Sequence, residues 1–286
     1  MISSIITGRE GVYQFGDVTF DFNARTHLMG ILNVTPDSFS DGGRFFDPEK
    51  ALQKAVEMVE EGADILDIGG ESSRPGSEEV SEEEEIRRIL PVMNLVKQRL
   101  RVVVSVDTRK ARVAERALKA GATIVNDITG LTYDPAMKDV IAGHKASVVV
   151  MHMKGTPATM QKNPGYSDVV AEVIEFLKRQ TDRAEEAGIN QVIVDPGIGF
   201  GKTLQHNLTL IKHLESIKVL GYPILVGPSR KSFLGTILDL PPDERMEGTS
   251  AAVTASILHG ASLVRVHDVK EMKRVAMVAD RIRFSP

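Results

Sequence analysis

The stretch GADILDIGGESSRPG, residues 62–76, decides the fold of this chain. A short loop at Gly62 leads into the apolar run Ala63–Ile68, and a longer polar segment begins at Gly69. A short apolar run bounded by glycine is typical of a strand that is buried on both faces of a parallel sheet. The residues before it, Ala51–Val59, have the apolar spacing of a helix. We therefore predict an α/β unit in which a polar loop follows the strand.

The same unit recurs along the chain. About eight apolar runs alternate with stretches of helical spacing, and the loops after the runs are longer and more polar than the loops before them. Eight strand–helix units predict an α/β protein of the (β/α)₈ TIM-barrel class, which usually takes about 250 residues. A doubly wound open sheet is the alternative fold. Both folds place functional residues at the carboxyl ends of the strands.

The segment before the first of these runs has a different pattern. Apolar and polar residues alternate over Val12–Phe22 around Gly16-Asp17, which predicts a short N-terminal β-hairpin at about residues 10–23. We expect this hairpin to cover the N-terminal end of the barrel, which spans about residues 27–284. No linker or change in composition divides the sequence, so residues 1–286 are predicted to form a single domain.

Composition excludes several kinds of protein. The formal net charge is −4, so the basic surface of a nucleic-acid-binding protein is missing. The absence of cysteine excludes disulfides and thiolate metal sites, and it is consistent with the cytoplasm. No apolar run approaches the roughly 20 residues of a membrane helix, and the N-terminus does not resemble a signal peptide. We expect a cytoplasmic protein that binds neither nucleic acid nor membranes.

Polar residues end three of the predicted strands. Asp107, Asn126 and Asp195 each follow an apolar run, and each alone could be a cap or a loop-stabilising residue. Together they supply two carboxylates and one amide. These groups match the alternating N–H and C=O groups on the edge of a flat heterocycle. We predict a pocket for such a ring at this end of the barrel.

Cationic donors follow the last two strands. Lys231 lies in the turn after Tyr222–Val226, where it could equally be a surface lysine. Arg265 lies inside the apolar run Leu263–Val266, where a buried charge needs a partner. His267 follows directly. Because the arginine fork matches two oxygens of a phosphate, these residues predict an anion site.

Four further patterns carry weaker signals. Asn33 ends the first long strand and could be an oxygen ligand of Mg²⁺ beside a phosphate, although asparagine is common before turns. His152 has no second metal ligand at a suitable spacing, so a structural role is expected. The segment GIGFGKT (197–203) lacks the first glycine of a phosphate-binding loop. The acidic run Ser77–Glu85 predicts the capped start of a helix.

Seven segments, taken in order, resemble the dihydropteroate synthases. They are LNVTPDSFSDGG (32–43), GADILDIGGESSRPG (62–76), SVDT (105–108), NDITG (126–130), VDPGIGFGK (194–202), GPSRKSFLG (227–235) and RVHD (265–268). The resemblance covers about residues 28–283, and its first two segments are long and specific. It implies a homodimeric (β/α)₈ barrel, a transferase of folate biosynthesis that is a sulfonamide target. The implied reaction condenses 6-hydroxymethyl-7,8-dihydropterin diphosphate with 4-aminobenzoate, with Mg²⁺ as cofactor and diphosphate as leaving group.

The resemblance also implies a role for each matching residue. The residues implied to hold the pterin, or to bind substrate beside it, are Asp107, Asn126, Asp195, Phe200 and Lys231. Diphosphate and Mg²⁺ are assigned to Arg265, His267 and the metal ligand Asn33. Two long loops would complete the 4-aminobenzoate site, with Ser229 near its carboxylate; their residues are Asp37, Phe39, Ser73, Arg74 and Pro75. Catalytic roles are implied for Asp37, Phe39, Arg74 and Lys231. Ser73 stands where many relatives have threonine, and it keeps the hydroxyl.

Two other functions remain open at this stage. A folate-dependent methyltransferase domain would share the barrel and some pterin contacts, but it would not need the loops at 35–43 and 69–76 and would need a corrinoid-binding partner. A non-catalytic pterin-binding protein would tolerate the loss of Arg265, His267 or the loop residues, and all of these are present.

Overall fold

The computed structural model describes residues 11–35, 47–73, 76–77 and 79–285 of the chain. Its first two strands, β1 (Val12–Phe15) and β2 (Val18–Asp21), form an antiparallel hairpin. Eight parallel strands follow: β3 (His27–Asn33), β4 (Ile65–Gly69), β5 (Val103–Asp107), β6 (Ile124–Asp127), β7 (Ser147–Met151), β8 (Val192–Asp195), β9 (Leu225–Val226) and β10 (Leu263–Val266).

Helices connect these strands and surround them. They are α1 (Pro48–Glu60), α2 (Glu82–Arg99), α3 (Ala111–Lys119), α4 (Met137–Gly143), α5 (Val169–Glu186), α6 (Leu204–Lys212), α7 (Ser232–Leu238), α8 (Met246–Leu258) and α9 (Val269–Arg283). Two 3₁₀ segments, Leu214–Leu220 and Pro242–Glu244, complete the described elements. Within the described ranges, no helix is long and apolar enough to cross a membrane.

The parallel strands close into a barrel. Their order is β8-β7-β6-β5-β4-β3-β10-β9, and a parallel bridge between Val194 and Ile224 joins the two ends of the sheet. The amide of Val194 also donates to the carbonyl of Pro223 at 3.0 Å. A doubly wound sheet would leave both edge strands unpaired, so the barrel prediction is confirmed and the open-sheet alternative is wrong.

The hairpin plugs the N-terminal end of the barrel, as predicted. Its aromatic side chains are buried in one cluster with one aliphatic residue from each parallel strand: Tyr13, Phe15, Phe20 and Phe22 with Met29, Ile65, Val103, Ile124, Val149, Ile193, Leu225 and Leu263. The hydroxyl of Tyr13 donates to the carbonyl of Val192 at 2.7 Å, which satisfies the polar tip of a buried ring. This end of the barrel is therefore an apolar core.

The opposite end of the barrel is polar because side chains alternate along each strand. In β4 the inward positions run from Ile65 in the plug through Asp67 to Gly69. At the carboxyl ends, Gly69 lies between Asn33 and Asp107 in the strand register, and Asp107 pairs with Asn126. One row across four neighbouring strands thus brings the predicted polar residues to the same mouth.

The local signals at the helix ends behave as predicted. Ser81 caps α2 by accepting a hydrogen bond from the amide of Glu84 at 3.2 Å, so the acidic run does begin a helix. The glycines of four short loops before strands have positive φ: Gly62, Gly121, Gly188 and Gly260. Such angles end a helix at little cost only in glycine, which keeps these loops short.

Candidate active site

A cavity with an empty volume of about 350 Å³ opens at the carboxyl ends of the strands. Its walls include seven of the residues that the sequence singled out: Ser73, Asp107, Asn126, Asp195, Phe200, Lys231 and Arg265. Apolar side chains complete the lining: Ile128, Met151 and Ile198. A slot with apolar faces and a few polar groups is the usual form of a site for a flat ring.

A buried ionic network forms one wall of this cavity. Arg265 donates from Nε to Asp67 Oδ2 at 2.6 Å and from Nη2 to Asp107 Oδ2 at 2.7 Å. Asn126 Nδ2 donates to the same Asp67 oxygen at 2.9 Å. The guanidinium therefore holds two carboxylates together, and Asp67 orients both the arginine and the amide. This is the buried partner that the position of Arg265 inside an apolar strand required.

Burial changes the protonation of this wall. Removal from water raises the pKa of Asp107 to about 7, against the opposing effect of the Arg265 guanidinium, and the charge of Asp67 adds to the rise. A carboxyl group with such a pKa can donate or accept a hydrogen bond near neutral pH. That suits a ring whose own charge changes during a reaction.

Asp195 faces the cavity from the end of β8. Its Oδ1 accepts from the amide of Gly197 at 2.6 Å, which fixes the carboxylate in one orientation. Burial raises the pKa of Asp195 to about 6, although the Gly197 amide and Lys231 lower it. Gly197 has a φ of +69°, and a Cβ there would lie 1.9 Å from the carbonyl oxygen of His152. The turn therefore requires glycine.

A buried lysine supports the loop that follows Asp195. Lys202 Nζ lies 2.9 Å from Nδ1 of His152 and donates to the carbonyls of His152 and Phe200 at 3.3 and 3.0 Å. Desolvation lowers the pKa of Lys202 to about 7 and that of His152 to about 3. His152 is thus a neutral, buried residue of the supporting structure, which is the role expected from the sequence.

Phe200 and Lys231 line the same cavity and contact each other. The Lys231 ammonium lies 4.0 Å from the centroid of the Phe200 ring, over its face. This cation–π contact places a positive charge near the Asp195 carboxylate, whose pKa it lowers. The lining of the cavity thus combines acidic groups with a cation that stacks on an aromatic ring.

Known proteins are similar to this chain in sequence and in fold. The family described as "Pterin binding enzyme" matches residues 29–267. Dihydropteroate synthase of Synechocystis sp. is 49% identical over 93% of this chain and 93% of its own length. The chain belongs to the dihydropteroate synthases. Two crystal structures of that family superimpose on it: the Thermus thermophilus enzyme in complex with 4-aminobenzoate (45% identity, TM-score 0.85, 95% of this chain and 99% of that one) and the Yersinia pestis enzyme with a sulfonamide drug (42%, 0.90, 95% and 99%).

Two further residues of the segments that match the synthases, Ser229 and His267, lie beside the cavity rather than in its lining. Ser229 Oγ accepts from the backbone amide of His267 at 3.2 Å and lies 3.0 Å from its Nδ1. The serine can therefore donate its own proton to Nδ1, which leaves Nε2–H as the outward donor. Burial, reinforced by Arg265, lowers the pKa of His267 to about 3, so this ring is neutral near pH 7. The role of Ser229 at a substrate carboxylate stays a prediction, since its hydroxyl is engaged with His267.

Asn33 is partly exposed at the mouth, at the end of β3. Its amide offers one oxygen ligand, and the described residues contain no cluster of three or more histidine or carboxylate side chains that could hold a metal. Mg²⁺ commonly takes one or two protein ligands together with substrate phosphates and water. A single amide oxygen fits that kind of site.

Four of the residues expected in the two long loops lie outside the described residues: Asp37, Phe39, Arg74 and Pro75.

Sequence reasoning also missed residues that the structure brings to the site. Asp67 could have been found by the argument applied to Arg265, because it too is a charge inside an apolar strand. Lys202 gave no such signal, since a lysine after a glycine-rich turn resembles a surface residue.

Proposed function

We propose that this site condenses 6-hydroxymethyl-7,8-dihydropterin diphosphate with 4-aminobenzoate to form dihydropteroate and diphosphate. The observation that carries the proposal is the meeting of Asp107, Asn126 and Asp195 in one slot beside Lys231. Family membership gives the reaction, and this arrangement gives the ring a binding site with the required hydrogen-bonding groups. No feature of the described residues favours the methyltransferase or the non-catalytic alternative.

The pterin ring would lie between the two acidic walls. Asp195, oriented by the Gly197 amide, accepts from ring N–H and amino groups. One N–H of the Asn126 amide is donated to Asp67, so its oxygen and its second N–H are the groups left for the ring. The position of Arg265 between Asp67 and Asp107 favours a role in building this wall. Its direct binding of diphosphate stays a proposal.

The reaction then requires departure of diphosphate. The bond between the exocyclic carbon and the diphosphate oxygen breaks, and its electron pair leaves with diphosphate. The amine of 4-aminobenzoate supplies the electron pair of the new C–N bond and afterwards releases a proton. Ionised carboxylates at Asp195 and Asp107 stabilise positive charge that develops on the ring. Neutral His267 can donate a hydrogen bond to the departing oxygens.

Mg²⁺, where it is bound with the diphosphate, supplies positive charge to the leaving group. We propose Asn33 as its protein ligand. Ser73 lies on the cavity wall, so 4-aminobenzoate would enter beside it, and sulfonamides would compete there. The proposed roles of Asp37, Phe39, Arg74 and Pro75 complete that second site.

Turnover of the purified protein tests the proposal. With the pterin diphosphate and 4-aminobenzoate, we expect release of one diphosphate for each dihydropteroate formed, and a lower rate when Mg²⁺ is removed by a chelator. Absence of diphosphate release with both substrates present would show that the proposed function is wrong. Retention of the full rate without Mg²⁺ would show that the proposed cofactor is not needed, and the proposed reaction would still stand.

We also propose a cytoplasmic homodimer. The apolar residues of the last two helices are of two kinds. Val253 and Ile257 are buried in the core, whereas four others are exposed to solvent: Leu258, Met277, Val278 and Ile282. Four exposed apolar side chains on adjacent helices α8 and α9 form a patch that a second copy could cover. The lack of cysteine suits the cytoplasm.

Substituting Val278→Glu should convert the protein to a monomer, because it places a charge in the apolar patch where 63% of the valine is exposed. Sedimentation velocity measures the assembly. The matched control is Val18→Glu on the hairpin, where another partly exposed valine lies at the far end of the barrel. A dimer that survives Val278→Glu would place the interface elsewhere.

A further inference from the structure

Lys110 is a buried cation that the reaction does not use. It follows β5 and precedes α3, three residues after Asp107, and it is 4% exposed. Its ammonium bonds to a carboxylate oxygen of Glu71, to the carbonyl of Val80 and, at 2.7 Å, to Glu85 Oε2. Burial lowers the pKa of Lys110, but hydrogen bonds to Glu71 and Glu85 more than offset this, so the pKa is raised and the lysine is charged.

These three bonds connect the two ends of one loop. We call the described residues between β4 and α2, which are 71–73, 76–77 and 79–80, the β4–α2 loop. Glu71 lies at its beginning, Val80 lies at its end, and Glu85 lies in the first turn of α2. A single ammonium therefore fixes both ends of the loop and ties them to the end of β5.

Arg109 makes a second attachment of the same kind. It donates to Glu71 Oε1 at 2.9 Å and lies 3.0 Å from Glu79 Oε1. Its guanidinium also stacks over the ring of Tyr133 at 4.3 Å, and the Tyr133 hydroxyl donates to Glu79 at 2.8 Å. Both attachments arise from the residues directly after Asp107, so the loop is held in register with the pterin pocket.

Ser73 shows why this register matters. It lines the pterin cavity together with Asp107, and it also lines an adjoining cavity with Glu71 and Arg109. The second substrate must attack a carbon attached to the pterin ring, so it must bind in contact with that cavity. The place where the two cavities meet is the place where Ser73, carried by the loop, is held.

We propose that Lys110 is a positioning residue for the second substrate, which holds the β4–α2 loop where Ser73 faces the pterin cavity. The proposal rests on the function proposed above and adds a residue that controls 4-aminobenzoate without touching it. Small misplacements of a binding group can cost up to about a hundredfold in rate or affinity.

Kinetics of Lys110→Met test the proposal. Methionine keeps the apolar stem and removes the three hydrogen bonds. We expect the KM for 4-aminobenzoate to rise about tenfold or more, because the loop loses its bonds to Lys110 at both ends and keeps those to Arg109. Affinity for the pterin, measured by quenching of pterin fluorescence, should change less than about twofold, since the walls of that pocket keep their partners. Lys110→Arg, which keeps the charge and the donors, should restore part of the KM.

Arg112→Met is the matched control. Arg112 lies two residues further on and is exposed, and its partners among the described residues, Glu82 and Glu83, belong to α2 rather than to the loop. The variant Arg112→Met should leave the KM for 4-aminobenzoate and the affinity for the pterin unchanged. Glu71→Gln is the second variant, which weakens the loop end of the cluster without leaving a buried carboxylate, and it should raise the KM for 4-aminobenzoate by a smaller factor.

The outcomes separate the two proposals. Equal losses for both substrates in Lys110→Met and Glu71→Gln would show that the cluster only stabilises the fold, and an unchanged KM for 4-aminobenzoate would also overturn the proposal. If Lys110→Met does not fold, Glu71→Gln decides by the same criterion. Failure of the parent protein to form dihydropteroate would instead defeat the proposed function, and this inference with it.

Discussion

The variant Arg265→Met should lose about 3–5 kcal/mol of the free energy of unfolding, because it leaves buried carboxylates without their cation. In the structure Arg265 bonds to Asp67 and to Asp107, and Asp67 is fully buried. Methionine preserves the volume but not the charge or the donors. Urea unfolding followed by circular dichroism measures the loss, and pterin affinity should fall with it because the wall of the cavity is no longer held.

A matched control separates burial from charge. Arg25 also bonds to a carboxylate through two nitrogens, at 2.9 and 2.7 Å from Asp64, but its side chain is 42% exposed. Arg25→Met should therefore cost less than about 1 kcal/mol. Equal losses at the two positions would show that the buried network contributes no more to stability than a surface pair.

The effect of Arg265→Met should also depend on pH. Burial raises the pKa of Asp107 to about 7 even with Arg265 opposing it, so removal of the arginine raises it further. A carboxyl group with a raised folded-state pKa binds more protons when folded, so its contribution to stability falls as the pH rises from its unfolded pKa to its folded pKa. In the parent the contribution of Asp107 to the free energy of unfolding stops falling near pH 7. In the variant it continues to fall above pH 7. The gap between the two proteins should widen above about pH 7.

The variant Asp195→Asn should bind the pterin about a hundredfold more weakly, which corresponds to about 3 kcal/mol from lost charge-assisted hydrogen bonds. The Gly197 amide already occupies Oδ1 of Asp195. In the variant the amide oxygen must take that place, so the NH₂ group faces the cavity. Two donors, one from the protein and one from the ring, then oppose each other. Isothermal titration with a pterin measures the loss.

The pH profile and a control variant complete this test. Because the pKa of Asp195 is about 6, pterin affinity of the parent should rise as the pH increases through that value, and Asp195→Asn should remove the rise. Asp64→Asn is the control, since Asp64 lies at the plugged end and accepts from Arg25 and from the amide of Leu28. A normal pterin affinity in Asp195→Asn would reassign this carboxylate to another step.

The architecture could be predicted because most of the parallel strands repeat one local pattern. A glycine before the strand, an apolar run and a polar loop after it are decided by neighbours in sequence, as the unit around Gly62 shows. The hairpin over the N-terminal end was predictable for the same reason. Its alternation around Gly16-Asp17 leaves one apolar face, and the barrel has one apolar end to receive it.

The pairing of charges could not be predicted, because it depends on the stagger of strands that are far apart in sequence. Arg265 was expected to need a partner, but the two that it has come from β4 and β5, 198 and 158 residues earlier. The same holds for Lys110, whose partners lie 25 to 39 residues away. The acidic run Ser77–Glu85 predicts a helix start, which Ser81 confirms, but it does not predict that Glu85 is buried against Lys110.

The aromatic side chains of the hairpin close one end of the barrel to ligands. Four rings and eight aliphatic side chains fill the N-terminal end, so ligands of the cavity have only the carboxyl-end mouth for both arrival and departure. A ligand that binds at Ser73, which lines this cavity and the adjoining one, would lie on that route.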